Sequence, residues 1–424
     1  MAVLTRVLLA VLALSAGVAA DDLAELRKRE DALRAEEAGR RLPLAEHCER
    51  CKMWKEADAE YRRLVVLAPD NAQVADRAAK AAEKAKVAQS RPAKQDEASY
   101  RQGAMTVSRE MAKKWWELAQ WALERGLRVE AEKTAENAEG LDEVVGAPSP
   151  LAKKFWESIY PLGDERRLSI DALNGWRKRC GLKPVEFSAR LSAGAQRHSE
   201  YLLRNEGHPS TDGLGAHDED PSLPGYTPEG AHAGKSSDIG QEPPVAAMLG
   251  MLGTYYHRIP LLHPDLQRVG IGWAPRPDGQ GGWCTIDCMS GHGPRVDSPR
   301  IVVYPPDGSR DVQRAFDNEL PDPIPPGEDH DCGTCVSLSV FDKGKLENCE
   351  MTVKVNGAAV EGYLSHPGAP ARKDHGQGRN IVFIPKDPLP AGAKVEVSAK
   401  GSLDGKPIAK SWSFTTGQDL SHPR

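Results

Sequence analysis

The sequence predicts three domains in a row: a helical block, an α/β sandwich and an all-β sandwich. Residues 22–146 are rich in Ala, Glu, Lys, Arg and Leu, and apolar residues recur at three- and four-residue spacing, which is typical of amphipathic helices. Residues 296–417 alternate short apolar runs with Gly, Pro, Asn and Asp turns, which indicates antiparallel strands. Between them, residues 150–293 read helix, long loop, helix and hairpin, the order of a sandwich in which helices cover a small sheet.

The N-terminus, residues 1–20, predicts a secretory signal peptide. Arg6 precedes an apolar run from Val7 to Val18, and the small residues Ala19 and Ala20 follow. The run is shorter than the roughly 20 apolar residues that a bilayer-spanning helix needs, and no later stretch approaches that length. We therefore expect cleavage after Ala20, no transmembrane segment, and a secreted or periplasmic protein.

Composition narrows the function classes. A formal charge of −5 gives no sign of a nucleic-acid partner.

The eight cysteines make disulfides plausible in an exported chain, with the pairing left open. Cys284 and Cys288 lie roughly 13 Å apart if extended and cannot bond each other, whereas Cys332 and Cys335 could pair locally. The two CxxC units, at 48–51 and 332–335, are too far apart in the chain to be a strong zinc signal.

Two segments of the helical block resemble degenerate tetratricopeptide repeats, LAEHCERCKMWKEADAEYRRLVVLAPDN and WWELAQWALERGLRVEAEKTAENAEGLD. The positions that fit the repeat are Leu44, Ala45, Cys48, Ala57, Tyr61, Pro69, Trp115, Leu118, Ala119, Ala122, Ala131 and Ala138. Stacked repeats normally need about three units for independent stability. We therefore expect this block to be stabilised by contacts with the neighbouring domain or to be partly flexible. The polar stretch 88–99 predicts a connection.

The tryptophans of the block leave two interpretations open. Helical spacing favours packing inside or between the repeats, and the alternative is a peptide-binding groove. The residues concerned are Trp54, Trp115, Trp116 and Trp121. In either case we expect this block to contact a protein or envelope partner that the sequence does not identify.

Three motifs of the middle domain carry a resemblance. ALNGWRKRCGLKPVEFSARL contains Asn174 and Arg177 in an N-x-x-R pattern, GYTPEGA follows, and YHRIPLLHPDLQRVGIG places His257 twelve residues before Val269. In this order the motifs resemble the CAP superfamily of cysteine-rich secretory, antigen 5 and plant pathogenesis-related proteins. The resemblance covers about 140 residues and implies an αβα sandwich.

The resemblance also implies a site. Many family members form a cleft from two histidines and two glutamates, and several of these clefts accept a divalent cation. The carry-over assigns His257 and Glu229, with the first histidine on His217 or, as the alternative, His208. The second glutamate has no match, since Glu242 is the only acid in 240–256. Imidazole and carboxylate are usual zinc donors, so zinc is the cofactor that this set suggests.

Ordinary structural roles stay open for the same residues. The stretch AHDEDPSLPGYTPEGAHAG at 216–234, which holds His217 and Glu229, is rich in charge, Pro and Gly, as solvated connections are. His257 could cap the end of its helix. His198 is expected to be a packed or surface histidine, and His263 is expected to be structural.

The all-β domain resembles a bacterial immunoglobulin-like domain, which implies a spacer or adhesive unit. The leading prediction is thus a secreted binding protein whose cleft holds a small lipid-like ligand or a divalent cation, flanked by protein-interaction modules. The alternative is an exported metal-dependent hydrolase of peptide or ester bonds that uses the same cleft. Catalysis is the weaker hypothesis because the chain lacks G-x-S-x-G and H-E-x-x-H motifs in suitable context. A third possibility places the function in the helical block.

Overall fold

The computed structural model describes residues 2–87, 92–146, 149–316 and 318–418, with side chains from Ala20 onward. Two compact units divide the chain, Met1–Ser158 and Ile159–Arg424. The first is helical, and the second contains a mixed sheet with helices followed by two antiparallel sheets. The predicted order of helical, α/β and all-β regions is therefore confirmed.

The first unit consists of helices that pack mainly on their neighbours in sequence. They are α1 Ala2–Arg50, α2 Trp54–Leu67, α3 Ala72–Val87, α4 Lys94–Glu124, α5 Arg128–Val145 and α6 Pro150–Ile159. Helix α2 packs on α1 and α3, and α4 packs on α1 and α5. The region expected to be a signal peptide forms part of α1, and its cleavage stays a prediction. Among the described residues, no helix has the length and apolar character that a membrane crossing requires.

The positions that fit the repeat pattern are mostly buried between these helices. Ala45, Cys48, Ala57 and Tyr61 belong to one apolar cluster. In the second segment the buried members are Trp115, Leu118, Ala119, Ala122, Ala131 and Ala138. The assignment to a repeat family stays a prediction. Of the predicted connection, residues 88–91 lie outside the described residues, and Lys94 already begins α4.

Trp115 and Trp116 support the packing interpretation of the tryptophans. Both rings are fully buried, and each indole Nε1 donates to a carboxylate, Trp115 to Glu37 at 3.1 Å and Trp116 to Asp142 at 2.9 Å. Trp54 and Trp121 are half-buried and lie beneath cationic side chains, which are Lys84, Arg29 and Arg125.

A buried ionic network links α1, α2 and α4. Arg41 donates to Glu37 at 2.8 Å, to Glu60 at 2.9 Å and to Ser108 at 3.1 Å, and all four side chains are buried. Arg63 adds two more hydrogen bonds to Glu37. Charges removed from water are tolerated only when they are paired and hydrogen-bonded, so this network fixes how the three helices meet.

The second unit begins with an αβα sandwich. Its helices are α7 Asp164–Arg179, α8 Ala189–Arg204, α9 Pro228–Lys235, α10 Pro244–Gly253 and α11 Arg258–Leu261. Its strands are β1 Glu186–Phe187, β2 Ser237–Gly240, β3 Arg268–Pro275 and β4 Gly282–Asp287, in the order β1-β3-β4-β2. Only β1 and β3 run parallel.

Alternation along β3 explains the Val-Gly-Ile-Gly motif. Val269 and Ile271 enter the apolar cluster that α7 and α10 form with the sheet. Gly270 and Gly272 point to the opposite face, where α8 lies so close that an added Cβ would come within 2.4 and 2.2 Å of its backbone. Only a residue without a side chain permits this approach.

The C-terminal part consists of two four-stranded sheets. Their strands are β5 Ile301–Tyr304, β6 Val336–Val340, β7 Leu346–Val355, β8 Ala358–Ala359, β9 Gly362–Ser365, β10 Asn380–Pro385, β11 Lys394–Leu403 and β12 Lys406–Thr415. The strand orders are β5-β6-β10-β9 and β12-β11-β7-β8, all antiparallel. One apolar cluster takes residues from both sheets. The immunoglobulin-like assignment stays a prediction.

All eight cysteines are free. The local bridge between Cys332 and Cys335 that their spacing allows is not formed in this structure. Both are buried in one small apolar cluster, but the Cys332 thiol donates to the backbone oxygen of Asp329 at 3.2 Å instead.

Candidate functional site

A cavity of about 1280 Å³ opens in the second unit. Its walls come from residues 206–217, from residues 239–257, from Arg276 and Trp283, and from Phe316 and residues 318–330 after β5. The polar side chains at the cavity include those of His208, His217, Glu242, His257 and Glu319, and the apolar ones include those of Leu214, Ile239, Met251, Phe316 and Leu320. His217 and His257, 40 positions apart in the chain, thus reach one concave surface.

His217 is the last residue of a short 3₁₀ helix, Gly213–His217. Its Nδ1 lies 2.9 Å from the backbone oxygen of Gly234, and a carbonyl can only accept, so Nδ1 carries the proton. Burial lowers the pKa of His217; the hydrogen bond to Gly234 opposes this, and the nearby charge of His257 adds to the lowering. His217 is therefore a neutral imidazole near pH 7, with a lone pair on Nε2.

His257 follows α10 and immediately precedes α11. Its Nδ1 donates to Glu319 Oε2 at 3.0 Å. Burial by itself would lower the pKa of His257, but the hydrogen bond to Glu319 and the charges of Asp238 and Glu319 outweigh burial and raise the pKa to about 9. His217 and His257 therefore place one neutral and one protonated imidazole at the cavity.

Glu319, which holds His257 in place, was not predicted from the sequence. Its side chain is 1% exposed. Besides His257, it accepts hydrogen bonds from the backbone N–H of Tyr255 at 2.6 Å and of Tyr256 at 2.8 Å. Both carboxylate oxygens are thus occupied in holding the turn that carries His257. Glu319 lies 62 residues later in the chain, and no spacing in the sequence connects the two.

Asp238 provides a second acid near His257. It lies on β2, is buried, and accepts from the Cys288 thiol at 3.6 Å. Burial raises the pKa of Asp238 to about 7, although the His257 charge and the Cys288 hydrogen bond act in the opposite direction. The sequence analysis did not single out this residue either.

Glu229 is placed differently from the two histidines. It lies in the first turn of α9, and its Oε2 accepts from Arg197 Nη1 of α8 at 2.8 Å. It is not among the residues that line the cavity. The cause is local, because α9 packs on α8 and turns its first carboxylate toward that helix.

His208 and Glu242 both line the cavity but are tied to their own segments. His208 Nδ1 lies 2.7 Å from Ser210 Oγ, and Glu242 Oε2 accepts from the backbone N–H of Gln241 at 3.2 Å. His198, by contrast, is fully buried between Glu219 and the backbone oxygen of Ala216, both at 2.9 Å. The expectation that His198 is packed agrees with these contacts.

The N-x-x-R motif has a structural role. Asn174 exchanges two hydrogen bonds with the backbone of Val185, at 2.8 and 3.0 Å. Arg177 is fully buried and donates to four backbone oxygens, those of Lys183, Leu261, His263 and Leu266. Burial lowers the pKa of Arg177 to about 10. These contacts tie α7 to the segment that leads from α11 into β3.

The ligand set of the cavity does not fit a zinc ion. His217 and His257 supply two imidazoles, whereas zinc sites normally have three or four protein ligands. Glu229 is paired with Arg197, and Glu319 is occupied by backbone N–H groups. Among the described residues, no group of three His, Cys, Asp or Glu ligand atoms within 4.8 Å of one another includes His217 or His257.

Residues 170–288 match the model of the Cysteine-rich secretory protein family, CAP. No curated protein and no solved structure matches the chain. The matched range runs from within α7 to just beyond β4 and includes both imidazoles of the cavity, but it ends before Glu319. The α/β sandwich of this chain is thus a CAP domain of the cysteine-rich secretory protein family.

Proposed function

We propose that this chain is a secreted binding protein whose CAP domain holds a lipid-like small molecule in the cavity lined by His217 and His257. The observation that carries the proposal is that one cavity joins two oriented imidazoles to an apolar wall. Ligand sites are typically concave and combine apolar surface with polar groups that fix the orientation of the ligand.

The polar end of the cavity is preorganised. Gly234 fixes the ring of His217 and Glu319 fixes the ring of His257, each through Nδ1. Side chains that are already held in place lose little freedom when a ligand binds. A carboxylic acid or hydroxyl head group can both donate to and accept from such a pair.

The apolar rim of the cavity supports an amphiphilic ligand. Leu214 and Leu320 line the cavity and are 40% and 56% exposed. Ile239 and Met251 add apolar surface to the same lining. An aliphatic body in the cavity would remove this surface from water, at about 25 cal/mol per Å² of apolar area.

A fluorescent fatty acid, 11-(dansylamino)undecanoic acid, tests this proposal with the full-length protein. We expect saturable binding with a blue-shifted emission, weakened about tenfold or more in His217→Ala and in Leu214→Asp. His232→Ala is the matched control, because His232 is exposed on α9 and does not line the cavity. Absence of saturable binding, or equal weakening in the control, would contradict the proposal.

The hydrolase alternative has a direct test. Peptide and ester hydrolysis by the purified protein, lost in His257→Ala and in the presence of a chelator, would replace the binding role with a catalytic one. We expect no such activity, because among the described residues no three ligand atoms that include His217 or His257 lie within 4.8 Å of one another.

Export and partner binding complete the proposal. Exported protein recovered outside the cytoplasm should begin at Asp21 when its N-terminus is sequenced, and a start at Met1 would contradict processing.

We assign partner contact to the helical block. Removal of residues 22–145 should abolish co-purification of a partner from the envelope fraction but leave binding of the dansyl probe unchanged.

A further inference from the structure

A second cluster of ligand-type side chains lies in the helical unit. It consists of His47, Cys51 and Asp96, and we refer to it as the helix-end cluster. One ligand atom from each residue lies within 4.8 Å of the others. Within the described parts of the chain, this is the one group of three His, Cys, Asp or Glu side chains that meets this distance. All three residues are partly buried.

Two separate segments build the cluster. His47 lies in the last turn of α1, and Cys51 follows one turn later, with its backbone N–H bonded to the His47 oxygen at 3.0 Å. Side chains four residues apart on a helical turn lie on the same face. Asp96 lies in the first turn of α4, 49 residues after His47.

The contacts within the cluster are close. Cys51 Sγ lies 4.0 Å from His47 Nδ1 and 3.9 Å from Nε2, and a carboxylate oxygen of Asp96 completes the group within 4.8 Å. His47 Nε2 lies 3.5 Å from the backbone oxygen of Asp96. Thiolate, imidazole and carboxylate are the three donor types of zinc sites, with bonds of about 2.0 to 2.3 Å. Donors in such a tetrahedron lie about 3.5 Å apart, so small rotations bring these atoms into place.

The cluster does not use the CxxC pattern of the sequence. Cys48 is fully buried in the apolar cluster with Ala45, Ala57 and Tyr61, on the inner side of α1. The segment HCERC therefore offers its first and last residues, His47 and Cys51, and not its two cysteines.

We propose that His47, Cys51 and Asp96 form a Zn²⁺ site that ties the end of α1 to the start of α4, with the fourth position open to water. Binding replaces the thiol proton of Cys51, which passes to solvent, by a sulfur–zinc bond, and no oxidant or reductant is needed. The ion connects helices that are distant in sequence, so it stabilises the helical unit. The site is separate from the cavity lined by His217 and His257, which we refer to as the CAP cavity, and from the ligand proposed for that cavity.

Cobalt and zinc titrations of the metal-free full-length protein test the site. One Co²⁺ per chain should produce a thiolate-to-cobalt charge-transfer band and the visible bands of tetrahedral cobalt, and Zn²⁺ should remove both. Affinity for Zn²⁺, measured by competition with a chromophoric chelator, should fall at least 100-fold in His47→Ala and Cys51→Ser and at least tenfold in Asp96→Asn.

Matched controls separate the site from others. Cys349→Ser, on β7, and His257→Ala, in the CAP cavity, should leave the zinc affinity unchanged. Zinc binding that is lost in His257→Ala but retained in Cys51→Ser would overturn the proposal. Cobalt binding without a thiolate-to-cobalt charge-transfer band would also overturn it. The wild-type spectrum decides even if one variant does not fold, because it needs no substitution.

Discussion

The CAP cavity and the helix-end cluster both contain histidine and an acid, but their polar atoms have different partners. In the cavity, Nδ1 of His217 and of His257 each donates to a protein acceptor, and Glu319 is occupied by backbone N–H groups. In the helix-end cluster, one ligand atom each from the thiol, the imidazole and the carboxylate lies within 4.8 Å of the others. Residue types alone therefore do not identify a metal site. The hydrogen bonds that each donor atom already makes decide whether it can ligate an ion.

The largest expected effect is the loss of Glu319. In Glu319→Ala, the N–H groups of Tyr255 and Tyr256 lose their acceptor and protonated His257 loses its ion pair. Removal of one partner from a buried pair costs about 3 to 5 kcal/mol. We expect this decrease in the free energy of unfolding of the second unit, measured by urea denaturation. Glu361→Ala is the control, because that side chain is 87% exposed, and it should change stability by less than about 0.5 kcal/mol.

The second effect is a dependence of stability on pH. The folded-state pKa of His257 is about 9, above the ordinary value of 6.5, so its contribution is fully present below pH 6.5 and is lost as the pH rises through 9. The shift corresponds to about 3 kcal/mol. Denaturation at a series of pH values from 6 to 10 should show this loss, and Glu319→Gln should flatten the curve. A parallel curve in the variant would contradict the assigned partner.

Asp238 should also make the free energy of unfolding decrease as the pH rises, but over a lower pH range than His257 does. Its folded-state pKa is raised to about 7, mainly by burial, so the protonated form favours folding and stability falls as the pH rises through 7. Asp238→Asn should remove the part of the pH dependence below 8. Because the Asp238 charge helps to raise the pKa of His257, the remaining part should move below pH 9.

A smaller effect is expected from Gly272→Ala. The added methyl group would meet the backbone of α8, and forced repacking of this kind costs about 1 to 3 kcal/mol. Gly175→Ala on α7 is the matched control, since no atom lies within 4 Å of its added Cβ. That change should be neutral or stabilise by about 0.5 to 1 kcal/mol, because alanine favours helix.

The smallest effect is expected from Glu229→Gln. It removes a partly exposed ion pair with Arg197, which contributes about 0.5 to 1 kcal/mol. Affinity for the dansyl probe should stay within twofold of the wild-type value, in contrast to His217→Ala. A tenfold loss would show that Glu229 acts in the cavity despite its pairing, and would restore the ligand set inferred from the family resemblance.

The sequence was sufficient to predict the features that depend on local residue patterns. Periodicity gave the helical and β regions, and the resemblance gave His217 and His257, which share a cavity. Glu319 was not predictable, because a segment without a periodic pattern brings it to His257 from 62 residues away. The orientation of Glu229 depends on how α9 packs against α8, which the spacing of residues does not encode.

The position of Glu319 after β5 has a practical consequence for protein engineering. A fragment cut where the family match ends, at Cys288, would keep both imidazoles and lose the carboxylate that anchors one of them. Grafting this domain onto another chain therefore requires carrying the sequence onward at least through Glu319, even though that extension adds no strand to the sheet β1-β3-β4-β2.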